Sequence, residues 1–132
     1  MSGKVVHFEI PADDSARAKT FYTEAFGWKI MPVPEMDYTM VGTAPSDESG
    51  SPLEPGSING GMYTRNEQFP RTPVITVDVA DIDTALAKVE SLGGKTVVPK
   101  MPVGQMGFAA YFEDSEGNVL GLWEAARPPA GQ

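Results

Sequence analysis

The chain has 132 residues, 41% of them hydrophobic, and a formal charge of −8. That length and apolar content suit one domain with a sizeable core and exclude wholesale disorder. The acidic balance speaks against nucleic acid and anionic lipid, which need a basic surface; the absence of cysteine removes disulfides, thiol nucleophiles and thiolate metal sites.

The first residues, "MSGKVVHFEI", hold no apolar signal core, and no run approaches membrane-spanning length. The cytoplasm is therefore the expected location. Val6, Phe8 and Ile10 alternate with His7 and Glu9, the pattern of a strand with one apolar and one polar face. His7 is the chain's single histidine. Asp14 suits an N-cap, and Ala18, Phe21, Tyr22 and Ala25 then share one helical face. Gly27 suits the left-handed closing position. Three strand-like segments follow, "WKIMPV", "DYTMVGT" and "INGGMYTR". Residues 43–57 form an acidic connection rich in Ser, Gly and Pro, long for a hairpin and readable as a solvated loop or a lid. "NEQFPRTP", residues 66–73, reads as a polar linker.

The same order then returns. Ile75, Val77 and Val79 alternate with Thr76 and Asp78; Asp83 is the expected N-cap; Leu86, Val89 and Leu92 make the helical stripe. Gly93 and Gly94 end it, and "KTVVPKMPV", "GFAAYFED" and "NVLGLWEA" read as three more strands. The last segment, "RPPAGQ", is expected to fray. The unit is thus β-α-β-β-β, twice: module 1 over about residues 4–65, module 2 over about 74–125, in one domain 1–132. This predicts an α+β fold of two half-barrel sheets around a central cleft. His7, Glu9, Thr76 and Asp78 fall on the strand faces that do not pack on helices, so they are expected to line that cleft.

Glu124 follows Leu120 and Leu122 at period two, and a carboxylate at the end of an apolar row needs a partner. His7 is the partner this reading expects, as a His–Glu acid/base pair. Glu9 and Asp78 read as acidic groups in the cleft or as solvated strand ends. Methionines and aromatics of the later strands, Met62, Met106 and Tyr111 among them, suit a wall for a hydrophobic or planar ligand, or ordinary core.

"VVHFEIPADD", "FYTEAFGW", "GGMYTR", "LGGKTVVPK" and "DSEGNVLGLWE", together with the paired module, resemble the vicinal-oxygen-chelate superfamily of glyoxalase I, bleomycin-resistance proteins and extradiol dioxygenases. The resemblance spans residues 5–125 and implies a divalent metal, zinc, nickel, manganese or iron, with no organic cofactor. It matches His7 to the first ligand position and Glu124 to the closing one. Thr76 stands where a second strong ligand is expected, and Thr64 near an optional fourth. A threonine hydroxyl is a poor ligand for such metals, so the implied site is incomplete. Oxygenase chemistry is disfavoured, because it wants two histidines. Two functions remain: a glyoxalase-like lyase or isomerase acting on a small carbonyl compound, and a metal-free protein that sequesters a small molecule. A vestigial regulatory subunit is a weaker third. The resemblance also implies a homodimer.

Overall fold

The computed structural model describes residues 3–126, so the terminal segment "RPPAGQ" lies outside the described residues. Its elements run β1 (Val5–Ala12), α1 (Ser15–Phe26), β2 (Lys29–Val33), a 3-10 turn (Pro34–Met36), β3 (Tyr38–Gly42), β4 (Gly60–Thr64), β5 (Val74–Asp78), α2 (Ile82–Ser91), β6 (Lys95–Val103), β7 (Gly107–Glu113) and β8 (Val119–Ala125). This is the α+β arrangement of two βαβββ modules. Two compact units emerge, Val6–Ile75 and Thr76 onward with the N-terminal stretch up to Val5.

In the unit Val6–Ile75 the strand order is β2-β3-β4-β1, with β1 and β4 parallel and the other pairs antiparallel. Helix α1 begins as expected: Asp14 accepts a hydrogen bond from the amide of Arg17 at 3.0 Å. It ends at Gly27, whose φ of 74° is a left-handed conformation that costs glycine little. Ala12, Ile30, Val41 and Met62 form the core, covered by Phe8, Ala18, Tyr22 and Trp28. Tyr22 stacks on Trp28 with 5.0 Å between ring centroids. Met62, read as a ligand wall, is fully buried here, because β1 register pairs it with Ile10 on the face under α1. Thr64 pairs with Ala12, shares that face and is exposed. Both residues therefore leave the group that faces away from α1.

The connection 43–57 is braced locally. Asp47 accepts from the amides of Ser49 and Ser51 at 2.9 and 3.0 Å, and Asn59 accepts from the Thr43 amide at 2.9 Å.

The second unit has the order β5-β8-β7-β6. Its N-terminal stretch bonds to β5: the Gly3 amide donates to Asp78 O and the Asp78 amide to Lys4 O, each at 2.8 Å. Ile82 and Leu86 of α2 form a core with Val79, Ala110 and Leu122, flanked by Val77, Ala85, Phe108 and Phe112. The cap of α2 is Asp81, not Asp83. Asp81 accepts from the Asp83 amide at 3.1 Å and the Thr84 hydroxyl at 2.9 Å, so Ile82 enters the helix and is fully buried. No helix among the described residues is long and apolar enough to cross a membrane.

Ile82 anchors α2 with no exposed surface. Replacing it by alanine should cost about 2–5 kcal/mol. Urea unfolding followed by circular dichroism measures this, and a midpoint equal to that of the parent would refute the assigned core.

Candidate functional site

Strand alternation sorts the sequence-predicted residues by face. In the first unit, Phe8 and Met62 turn toward α1, so His7 and Glu9 on β1, Tyr38 and Met40 on β3, and Gly61 and Tyr63 on β4 turn away from it. That second face holds a continuous polar chain. His7 Nε2 lies 2.9 Å from the Tyr38 hydroxyl, which donates to Glu9 Oε2 at 2.8 Å. Glu9 is buried and His7 half-buried. The Tyr38 ring occupies the space over Gly61, where any Cβ would overlap its hydroxyl end. Position 61 therefore admits no side chain while Tyr38 stands there. Next to it, the buried Tyr63 hydroxyl donates to the Pro70 carbonyl, and Phe69 meets the Tyr63 ring edge-on at 5.5 Å.

Burial holds the His7 imidazole below the ordinary histidine range, against the raising effect of the Glu9 charge. Burial thus favours the neutral form of the ring. Burial also pushes the Tyr63 phenol far above its usual value, reinforced by Glu9 and opposed by Arg65.

The second unit places its residues differently. Leu122 lies under α2, and Glu124 follows it at period two, on the same face. There Glu124 Oε1 accepts from the Ile82 amide at 2.8 Å, at the N-terminus of α2, and lies 3.3 Å from Lys100 Nζ. Lys100 also sits 4.4 Å over the Phe108 ring and 3.9 Å from Asp83. The carboxylate is buried, yet its charge is met by an ammonium and by a helix N-terminus. The sequence pointed to His7 as the partner of Glu124; within its own unit the carboxylate is met by Lys100 and the Ile82 amide. The opposite face carries Thr76 and Tyr111, both buried, and the partly buried Asp78. A Cβ at Gly121 would meet Thr76 Oγ1 at 2.9 Å and Tyr111 Cε1 at 3.5 Å, so these two residues flank a bare stretch of β8. Met106 lies in the turn between β6 and β7 and is 52% exposed, which removes it from any packed wall within its unit.

The implied metal fits these residues poorly. His7 Nε2 is engaged by Tyr38, and Glu124 by Lys100 and a backbone amide. No group of three or more His, Asp or Glu side chains suited to a metal occurs among the described residues. Sequence reasoning missed the roles of Tyr38 and Lys100. The glycine pair in "GGMYTR" was the available signal for Tyr38, since a bare strand position often marks a close approach.

Comparisons with known proteins find bleomycin-resistance-like, glyoxylase-like and epimerase resemblances. Residues 4–44 match the family described as bleomycin resistance protein-like N-terminal. A glyoxylase-like domain-containing protein of Didymella fabae is 29% identical over 123 residues, covering 90% of this chain and 91% of that protein. The putative glyoxylase CFP32 of Mycobacterium bovis is 31% identical over 124 residues, again covering 90% of this chain. This chain spans only 44% of that longer relative. Among solved structures, methylmalonyl-CoA epimerase from Mycobacterium tuberculosis has a TM-score of 0.63 at 15% identity, covering 96% of this chain and 90% of that one. A hypothetical protein from Bacillus halodurans has a TM-score of 0.62 at 14% identity, covering 97% and 98%. The structures share the fold.

Two outcomes follow from the electrostatics. Lys100→Met leaves a buried carboxylate short of its counter-charge and should destabilise by about 1–3 kcal/mol, read by thermal or urea unfolding. For His7, a depressed native pKa means that the unfolded chain binds more protons below the unfolded value of about 6.5. The His7 contribution is therefore full above that pH and falls as acidification approaches the native pKa. Wild type should lose more stability than His7→Gln between neutral and mildly acidic pH, and equal losses would contradict the burial described. Module order, the matched N-terminal segment and the shared fold are features that the chain has in common with proteins of the vicinal-oxygen-chelate kind.

Proposed function

We propose that this chain is a metal-independent, glyoxalase-like protein that binds a small carbonyl compound and moves a proton beside that carbonyl. The observation that carries the reading is the chain His7–Tyr38–Glu9, a neutral imidazole linked through a phenol to a buried carboxylate. In the step proposed, the C–H bond next to the carbonyl breaks and its proton passes to the imidazole. The electron pair moves onto the carbonyl oxygen as an enolate. The new imidazolium is favoured by the negative Glu9 behind Tyr38. Reversal returns a proton to carbon, so the atoms balance without a redox partner.

Support comes from three sides. The glyoxylase names carried by the curated relatives belong to chemistry on small carbonyl compounds. Met40 shares the face with the polar chain and suits the apolar part of a ligand. Glu124 takes no part in the step, because its charge is already met by Lys100. The members of the superfamily commonly use a divalent metal, and this proposal departs from them. The same wall serves the second reading, sequestration without chemistry, and Met40 beside Tyr38 is the feature that favours it. Assembly as a homodimer belongs to the proposal and is checked by light scattering.

Solvent deuterium incorporation into a panel of small aldehydes and ketones, followed by proton NMR, tests the proposal. Chelator-treated wild type should exchange the proton beside the carbonyl, and His7→Ala should slow this by about 100-fold or more. Glu124→Gln should retain it. Exchange that vanishes with chelator and returns with added metal would overturn the metal-free reading. Binding without exchange would establish the sequestering one.

A further inference from the structure

The hydrogen bonds around Tyr38 have a direction. A phenol carries one proton. Tyr38 donates it to Glu9 Oε2 at 2.8 Å. Toward His7 Nε2, at 2.9 Å, its oxygen then acts as acceptor, so Nε2 holds the imidazole proton. In a neutral ring the other nitrogen, Nδ1, carries the lone pair. Nδ1 makes no hydrogen bond among the described residues, and no side-chain nitrogen or oxygen sealed from solvent among them lacks a partner. Nδ1 is therefore reached from outside the protein.

We infer that Tyr38 is a positioning residue: by spending its proton on Glu9 it locks His7 as the Nε2–H tautomer and makes Nδ1 the atom that meets the ligand. The inference rests on the reading of His7 as the working group and adds to it the atom and the ligand class. A ligand at Nδ1 must offer a proton: an O–H, an N–H, or a C–H made acidic by a neighbouring carbonyl. A group that offers only lone pairs, such as a carboxylate or an ether oxygen, finds no donor at that nitrogen.

Two features fix the phenol in place. Its hydroxyl is held between an imidazole and a carboxylate. Its ring end fills the space over Gly61, which has no side chain to displace it. The arrangement can thus be perturbed from either side, by Tyr38→Phe at the hydroxyl and by Gly61→Ala beneath the ring.

Because the chain has one histidine, nitrogen-15 NMR of the labelled protein reports a single imidazole. At a pH where the ring is neutral, wild type should show the proton on Nε2, with that N–H exchanging slowly with solvent. Tyr38→Phe should abolish the slow exchange and shift both ring nitrogens toward tautomeric averaging. Gly61→Ala should do the same by displacing the ring. Backbone amide spectra confirm that each variant remains folded; where Tyr38→Phe unfolds, the wild-type tautomer and Gly61→Ala still decide. A wild-type proton on Nδ1, or ring signals untouched in the variants, would overturn the inference. No substrate is present in this experiment. A locked tautomer without deuterium exchange activity would sink the proposed reaction alone, whereas exchange with the opposite tautomer would sink the assignment of Tyr38 alone.

Discussion

A tyrosine hydroxyl has a single proton to give, and Tyr38 gives it to a buried carboxylate. Much of the first unit is arranged around that bond. Strand β3 brings Tyr38 to the face of β1 that carries His7 and Glu9, and β4 leaves a glycine under the ring. Burying Glu9 without a donor would cost free energy on the scale of a lost charged hydrogen bond. With the phenol in place, the carboxylate is satisfied and the imidazole gains a partner in the same stroke. A structural need, satisfying a buried acid, and a chemical one, orienting a base, are met by one residue.

The two units solve the problem of an acidic group in a sheet in different ways. In the first, a neutral donor meets Glu9. In the second, Glu124 is met by full positive charge from Lys100 and partial charge from the first turn of α2. The aliphatic stem of a lysine can cover apolar surface while its head reaches the acid, and Phe108 beneath the ammonium adds a favourable ring face. A carboxylate neutralised in this manner is a support for the helix rather than a group waiting for a ligand. The metal implied by the resemblance loses its closing residue for that reason, and Thr76 on the opposite face is no substitute.

Much of this was legible in the amino acids, and the failures have physical causes. Period-two alternation named the strand faces, so His7, Glu9 and Thr76 fell on the face away from the helices as expected. Asp14 and Gly27 marked the ends of α1 because cap chemistry is local. Asp81 and Asp83 are both acceptable caps by type; the structure uses Asp81, with Ile82 buried in the first turn. Met62 was assigned to a wall because methionine suits either a core or a ligand surface; its register opposite Ile10 decided for the core. Glu124 was paired with His7 in the sequence, whereas its partners within the unit are Lys100 and the Ile82 amide. Its parity was read correctly, with Leu120 and Leu122, but the face those leucines occupy depends on where α2 lies. The partner of a charged side chain is a tertiary fact: nothing local to "VVPKMPV" ties Lys100 to "GLWE".

The central claim is that the one imidazole of this chain answers to Tyr38 and Glu9 rather than to a metal. Titrating paramagnetic Mn2+ into chelator-stripped protein while observing the His7 ring signals tests it most directly. The account predicts ring signals that keep their line widths at one equivalent of metal. Selective broadening of those signals at one equivalent, abolished by Glu124→Gln, would contradict it.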